Sequence, residues 1–225
     1  MYSNKEWDII FKKNKWGEYP SEDLIRFFAK NFYPRKNLKV LELGSGTGAN
    51  LWYFTRNGYK TYGIEGSEYA TNISMEKLSR ESPGWKGEII CGDFSKIFPY
   101  KNNFFDAIVD IEAVYLNSPD TQVEILKNVF RCLKKNGLFF SKHFEIGSYG
   151  WAKSLKTSNN YKKVLRGALG NKGKSHFANK KFFTDMFKNN FKSIAKIITL
   201  ERTERTVESM KQSYKELLLT ARKIK

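Results

Sequence analysis

The segment Val40-Leu-Glu-Leu-Gly-Ser-Gly-Thr-Gly48 constrains this chain more than any other. An apolar run with strand character leads straight into three alternate glycines, and a helix-forming stretch follows from Ala49. Without Cβ atoms, Gly44, Gly46 and Gly48 let backbone approach a ligand closely. The turn also aims free N–H groups at whatever sits there. Such a strand–turn–helix is a cradle for a nucleotide-type cofactor.

The flanking sequence repeats the same alternation of strand and helix. Residues 5–13 and 21–32 read as helices, the second with Ser21 as N-cap. Strands are expected at 38–43, 60–65, 87–91, 105–111 and 138–144. Helices are expected at 49–57 (ended by Gly58), from Ser67 to about 82, from 118 to about 135, and at 179–189. Residues 191–200 and 216–223 alternate like an antiparallel hairpin. The links are short, so the expected fold is α/β: a doubly wound, mostly parallel seven-stranded sheet with helices on both faces and a C-terminal antiparallel hairpin. One domain, 1–225, is expected, comprising an N-terminal helical lid (1–37), a cofactor-binding core (38–145), an insertion (146–180) and a late helix with the terminal hairpin (181–225). The insertion is too long for an ordinary connection.

The net charge of +17 looks like a nucleic-acid signature until it is divided along the chain. Residues 38–145 carry 13 basic and 13 acidic side chains, whereas residues 146–225 carry 19 and 5. The excess therefore belongs to the C-terminal third. No apolar run is long enough to span a membrane, and the first residues lack the apolar core of a secretory signal. Cys91 and Cys132 are expected to be buried; they have no metal-ligand spacing and imply no disulfide framework. A reduced, cytoplasmic protein without a bound metal is the expectation.

The glycine turn alone fits either a dinucleotide or S-adenosylmethionine, since Gly44, Gly46 and Ala49 also satisfy the looser dinucleotide pattern. Glu42 and the third glycine, Gly48, resemble the first motif of class I S-adenosylmethionine-dependent methyltransferases. Glu65, in Gly63-Ile-Glu-Gly-Ser67, stands 21 positions beyond Gly44, where a carboxylate accepts ribose hydroxyls. Cys91-Gly-Asp-Phe94 resembles the family's adenine-binding motif, with Asp93 as acceptor and Phe94 beside the ring. Phe104–Asp110 and Phe130–Leu138 resemble its later motifs. The resemblance implies a Rossmann-like fold, S-adenosylmethionine as methyl donor and S-adenosylhomocysteine as product. It also implies a cofactor site comprising Glu42, Gly44, Ser45, Gly46, Gly48, Asn50, Glu65, Gly66, Ser67, Asp93, Phe94 and Asp110. Trp16 and Tyr19 are expected to fold over it as a lid, since relatives use the N-terminal helix so. Each acid also has a structural reading as a cap or turn residue.

Methyl transfer needs aim and desolvation more than a dedicated catalytic group. A nucleophile that starts protonated gains from a base. Glu112, where many relatives have a small residue, His143 at the end of the fifth strand and Tyr115 are the catalytic candidates. Many relatives have a histidine at the position of Leu116, so a mechanism that uses it does not carry over. For the acceptor, the insertion offers Tyr149, Trp151 and Arg166, together with His176. Basic and aromatic residues there suit a small anionic metabolite, such as a phosphorylated compound or a sugar precursor for surface polysaccharide. RNA is the second-ranked acceptor. A NAD-binding oxidoreductase and a non-catalytic binding module are the remaining alternatives. Thiol methylation is disfavoured.

Overall fold

A computed structural model describes residues 4–14, 18–152, 154, 160–165, 170, 173–191, 194–205 and 211–224. Two helices, α1 (Asn4–Lys13) and α2 (Glu22–Phe32), precede the first strand. Then come β1 (Lys39–Leu43), α3 (Ala49–Arg56), β2 (Lys60–Glu65), α4 (Glu68–Glu81), β3 (Gly87–Cys91) and β4 (Phe105–Ile111). A 3-10 turn, Val114–Leu116, leads to α5 (Pro119–Cys132) and β5 (Leu133–Phe144). The chain closes with β6 (Tyr161–Lys163), β7 (Lys174–His176), α6 (Lys180–Met186), β8 (Ile194–Arg205) and β9 (Lys211–Arg222). Seven strands form one sheet in the order β3-β2-β1-β4-β5-β9-β8. The first five are parallel, and β9 runs antiparallel to both β5 and β8.

Two apolar layers cover the sheet. One face packs Leu41, Leu43, Ile108 and Phe139 against α5 and α6. The other packs Val40, Val109 and Phe140 against Phe27 and Phe28 of α2 and Leu51 and Phe54 of α3. The alternation of these residues along β1, β4 and β5 follows the two-residue period of a strand. A third cluster, containing Tyr115, Leu116, Phe144, Val164 and Phe177, seats the β6–β7 ribbon over the tips of β4 and β5.

Several boundaries differ from the sequence expectation. Helix α5 ends at Cys132, three residues early, because Leu133 turns extended and pairs with Phe105, and Asn136 takes φ 64° inside the strand. The late helix is shorter, since Phe187–Phe191 widens into a π turn. The hairpin strands are longer than expected, at twelve residues each. The insertion contains the unforeseen antiparallel ribbon β6–β7. Ser21 begins α2 without a side-chain cap; its N–H instead donates to Asn50 Oδ1 at 3.0 Å. Cys132 is buried but Cys91 is exposed, because β3 is the edge strand of the sheet. Among the described residues, no helix is long and apolar enough to cross a membrane.

Candidate active site

The glycine turn sits where β1 ends, at the strand-tip edge that open α/β sheets use for ligands. Gly44, Gly46 and Gly48 all take positive φ, at 68°, 52° and 86°. Two of them also answer to close packing. A Cβ on Gly44 would lie 2.4 Å from Ala113 Cβ, and one on Gly48 would lie 2.2 Å from Ser74 Oγ. The turn is thus pinned between the 3-10 turn after β4 and helix α4.

Carboxylates fix its shape. Glu65 Oε2 accepts the Gly46 N–H at 2.7 Å, and Oε1 accepts the Ser67 N–H at 2.8 Å. Glu65 therefore fastens the glycine turn to the start of α4, with the Gly66 N–H also directed at it. Ser67 caps α4 by accepting from Ala70 N–H at 3.0 Å. With three N–H groups on its two oxygens, Glu65 keeps about one lone-pair site for a diol hydroxyl. Glu42 is almost wholly buried, and its Oε1 accepts from Asn50 Nδ2 at 2.6 Å. Among the described residues, its Oε2 has no partner, and neither does the buried Ser45 Oγ. Burial pushes the Glu42 carboxyl up to about 8, against a smaller opposing pull from Asn50 and with added repulsion from Glu65 and Asp110.

Glu42, Ser45, Gly44, Gly46 and Asn50 line a cavity of about 700 Å³ that runs outward to the tips of β4 and β5 and the middle of β8 and β9. Its outer wall holds Asp23, Glu112 and Glu216 around Lys142. Lys142 Nζ lies 3.1 Å from Glu216 and 3.5 Å from both Asp23 and Glu112. Glu112 takes φ 63°, an uncommon conformation for a residue with a side chain. Loss of hydration raises its carboxyl, with Lys142 pulling the other way. Among the described residues, six carboxyl side chains line the cavity against two cationic ones, Lys142 and Arg202, while Glu22 pairs with Arg26 at 2.6 Å and Glu201 with Lys215 at 3.7 Å. This acidic lining lends no support to an anionic acceptor here, despite the basic C-terminal third.

Of the three catalytic candidates, only Glu112 reaches this cavity. His143 follows Lys142 in β5 and so points to the opposite face, buried between Tyr115 and Phe183. Its Nε2 stands 3.3 Å from Asp110 Oδ2, and its buried Nδ1 has no partner. Tyr115 is also buried, in the cluster beneath the ribbon. By the family resemblance, Asp110 or backbone near it holds the donor's methionine end; the Asp110 side chain itself is fully buried. Oδ1 accepts from the N–H groups of Ala113 and Val114 at 2.9 Å each, and Oδ2 accepts from Ser141 Oγ. It caps the 3-10 turn and ties it to β5.

Asp93 likewise shows its structural role, accepting from the N–H and hydroxyl of Ser95 and pairing with Lys96 at 3.3 Å. Phe94 is buried beside Gly44. Trp16 and Arg166 lie outside the described residues. Tyr19 is exposed on the cavity rim. The side chain over the glycine turn is Phe11 of α1, whose ring lies 3.5 Å from where a Gly46 Cβ would be. Asp8, one turn earlier, accepts from Ser67 Oγ and from Tyr69 N–H at 3.1 Å. Tyr149 packs edge-on against Tyr214, and Lys162 Nζ sits 4.2 Å over the Trp151 ring. His176 is buried, with Nδ1 3.1 Å from Gln122 Nε2, and burial and its neighbour His143 push it down to about 4. Sequence reasoning missed Asp8, Phe11, Asp23, Lys142 and Glu216. A lysine two residues from the ligand-edge end of β5 was the one available signal.

Comparison with known proteins agrees with this fold. Residues 41–141 match a family model described as a methyltransferase domain. A 75-residue stretch is 36% identical to the 18S rRNA (guanine-N(7))-methyltransferase of Bos taurus, covering 33% of this chain and 25% of that protein. A 107-residue stretch is 27% identical to the Bacillus subtilis protein YqeM, covering 47% of this chain and 42% of that one. The chain thus spans less than half the length of either curated relative. A crystal structure titled as a SAM-dependent methyltransferase from Methanosarcina mazei superposes with a TM-score of 0.67 at 16% identity, over 92% of this chain and 99% of that one.

S-adenosylmethionine presents a diol, a sulfonium and an amino-acid tail. The residues fit it on their own geometry: Glu65 keeps some acceptor capacity at the strand tip beside the glycine turn, and Glu42 Oε2 is a buried carboxyl oxygen without a partner among the described residues. The fold is that of the class I S-adenosylmethionine-dependent methyltransferases, residues 41–141 match the methyltransferase-domain model, and S-adenosylmethionine is the cofactor.

Proposed function

We propose that this chain methylates an oxygen or nitrogen of a small molecule held in the cavity between the glycine turn, the tips of β4 and β5 and the middle of β9. The observation that carries the reading is Glu42 Oε2: a buried, unpartnered carboxylate oxygen on the wall of a cavity that begins at the glycine turn. When bound, S-adenosylmethionine supplies an activated methyl carbon that an incoming lone pair displaces in line from sulfur.

The protein's own residues supply position and dryness. Gly44 to Gly48 shape the cradle, Glu65 holds the diol, and Glu42 meets the cationic tail. Helix α1 covers the turn through Phe11 and docks on α4 through Asp8, which keeps water off the reacting atoms. Glu112 is the base candidate on the cavity wall, and its raised carboxyl suits it to take a proton from an acceptor O–H or N–H. His143 is assigned no step, since its imidazole lies on the other face of β5.

An RNA acceptor is the second reading. It draws on the rRNA-modifying relative and on the cationic ribbon, where Lys162 covers Trp151 and Lys174 lies 5.8 Å over Tyr161. A phosphate backbone entering the acidic cavity would meet like charge, which places it second.

Calorimetry with S-adenosylhomocysteine and with NAD tests the cofactor. Heat with NAD alone would overturn the reading. Incubation with labelled methyl donor and a fractionated bacterial extract then tests the acceptor. Label in the small-molecule fraction is the expected result; label in RNA would move the second reading to first.

A further inference from the structure

We propose that Asp23 and Glu216, the carboxylates beside Lys142 other than Glu112, anchor a cationic group of the methyl acceptor, a primary ammonium or a guanidinium separate from the atom that is methylated. This rests on the methyltransferase reading and names the substrate class of the same cavity. Lys142 Nζ is met by Asp23 from α2, Glu112 after β4 and Glu216 from β9. These residues are far apart in sequence and converge only in the fold. One ammonium among three carboxylates leaves negative charge in excess. Beyond this group, Glu22 and Glu201 also line the cavity but are matched by Arg26 at 2.6 Å and Lys215 at 3.7 Å, so the excess rests with the carboxylates around Lys142.

An acidic group alone would be ordinary solvated surface. Here it forms the outer wall of a chamber whose inner wall holds Glu42, with a buried carboxyl oxygen, Oε2, that has no partner among the described residues. That orphaned oxygen marks the chamber as one built around a ligand. The donor cofactor carries one net positive charge, from a sulfonium and an ammonium against a carboxylate. Glu42 is the acid beside its cradle, so the outer excess stays unmatched when the cofactor is bound. A cationic acceptor meets that excess, whereas a phosphorylated one would be repelled. A protonated amine has no lone pair to offer a methyl carbon. The anchored cation therefore orients the molecule while a second, neutral O–H or N–H faces Glu112.

The test uses the full chain saturated with S-adenosylhomocysteine, titrated by calorimetry at constant ionic strength. One titrant is agmatine, which carries both an ammonium and a guanidinium; the other is glucose 6-phosphate. Agmatine is expected to bind saturably at one site and glucose 6-phosphate to give no heat. Glu216→Gln is expected to weaken agmatine binding by about fivefold or more, as loss of a charge-assisted contact does. Glu124→Gln, the same change of charge on the far surface of α5, is expected to leave it unaltered. If Glu216→Gln does not fold, Asp23→Asn gives the same readout. Silence with agmatine, equal weakening by Glu124→Gln, or saturable binding of the phosphate ester would each overturn the anchor. Failure of S-adenosylhomocysteine itself to bind would instead overturn the methyltransferase reading.

Discussion

Asn50 holds Glu42 by one oxygen and leaves the other free: Nδ2 donates to Oε1 at 2.6 Å, while Oε2 has no partner. Asn50 Oδ1 also accepts the Ser21 N–H at 3.0 Å, so one amide joins the glycine turn to the start of α2. The free oxygen makes Glu42 costly to the folded chain and useful to a cation. Its carboxyl is raised to about 8 by burial. Between the usual carboxylate range and that value, the folded chain keeps a proton that the unfolded chain releases. Its contribution to stability therefore falls as pH rises through this window. Glu42→Gln removes that slope. Thermal melts are expected to show a gain in Tm over wild type that is larger at pH 8.5 than at pH 5. The same variant is expected to bind S-adenosylhomocysteine at least about tenfold more weakly, the scale of one buried charged hydrogen bond. A melt difference independent of pH would contradict the titration of Glu42.

The fold was legible because its signals are local. The glycine turn, the apolar strands and the Gly58 and Ser67 helix boundaries each sit within a few residues of what they determine. The face of β5 was not. Leu138, Phe139 and Phe140 are all buried, so no alternation of apolar and polar residues tells which of Lys142 and His143 turns toward the ligand. That parity is set by register against β4 and β9, including the irregularity between the pairings of Phe105 and Ala107. The Lys142 group escaped notice for a related reason, since residues 23, 112, 142 and 216 meet only after the sheet closes. Asp8 serves a helix start 59 residues away, and nothing near it in sequence shows that.

Gly44 and Ala113 touch where the glycine turn meets the 3-10 turn. Gly44→Ala places a Cβ 2.4 Å from Ala113 Cβ, on backbone at φ 68°. Overpacking and backbone strain each cost about 1–3 kcal/mol. Adding Ala113→Gly relieves the clash and leaves the strain. Denaturant melts of the two single variants and the double are expected to show a positive coupling, the double being more stable than the sum of the singles predicts. Strict additivity would place the two turns out of contact.

Asp8 is the latch of α1. Burial works against its ionisation, but the hydrogen bonds from Ser67 and Tyr69 outweigh that and hold its carboxyl below the usual range. A depressed carboxylate stabilises above its unfolded value and loses that contribution as pH falls through its folded value. Asp8→Asn is expected to speed amide exchange in α1 and at the start of α4, with α2 unchanged, and to weaken S-adenosylhomocysteine binding. Lowering the pH of wild type below the usual carboxylate range is expected to give the same local loosening of α1. Unchanged exchange in α1 would show that Phe11 and Trp7, not Asp8, hold the helix in place.

Glu112 and His143 separate two accounts of proton transfer. Glu112 lines the cavity, whereas His143 is enclosed by Tyr115, Phe183 and Asp110 on the other face of the sheet. With the acceptor fraction found by labelling, Glu112→Gln is expected to lower kcat by about 10²–10⁴, the range for loss of a positioned base. His143→Gln removes a buried ring beside Asp110 and is expected to lower Tm while kcat and its pH profile stay near wild type. The contrast in kcat decides the matter, because a purely structural loss at either site moves Tm without moving the pH profile. If His143→Gln abolished turnover in a chain that melts like wild type, the acceptor would have to approach from the α5 and α6 side, and Glu112 would lose its assigned role.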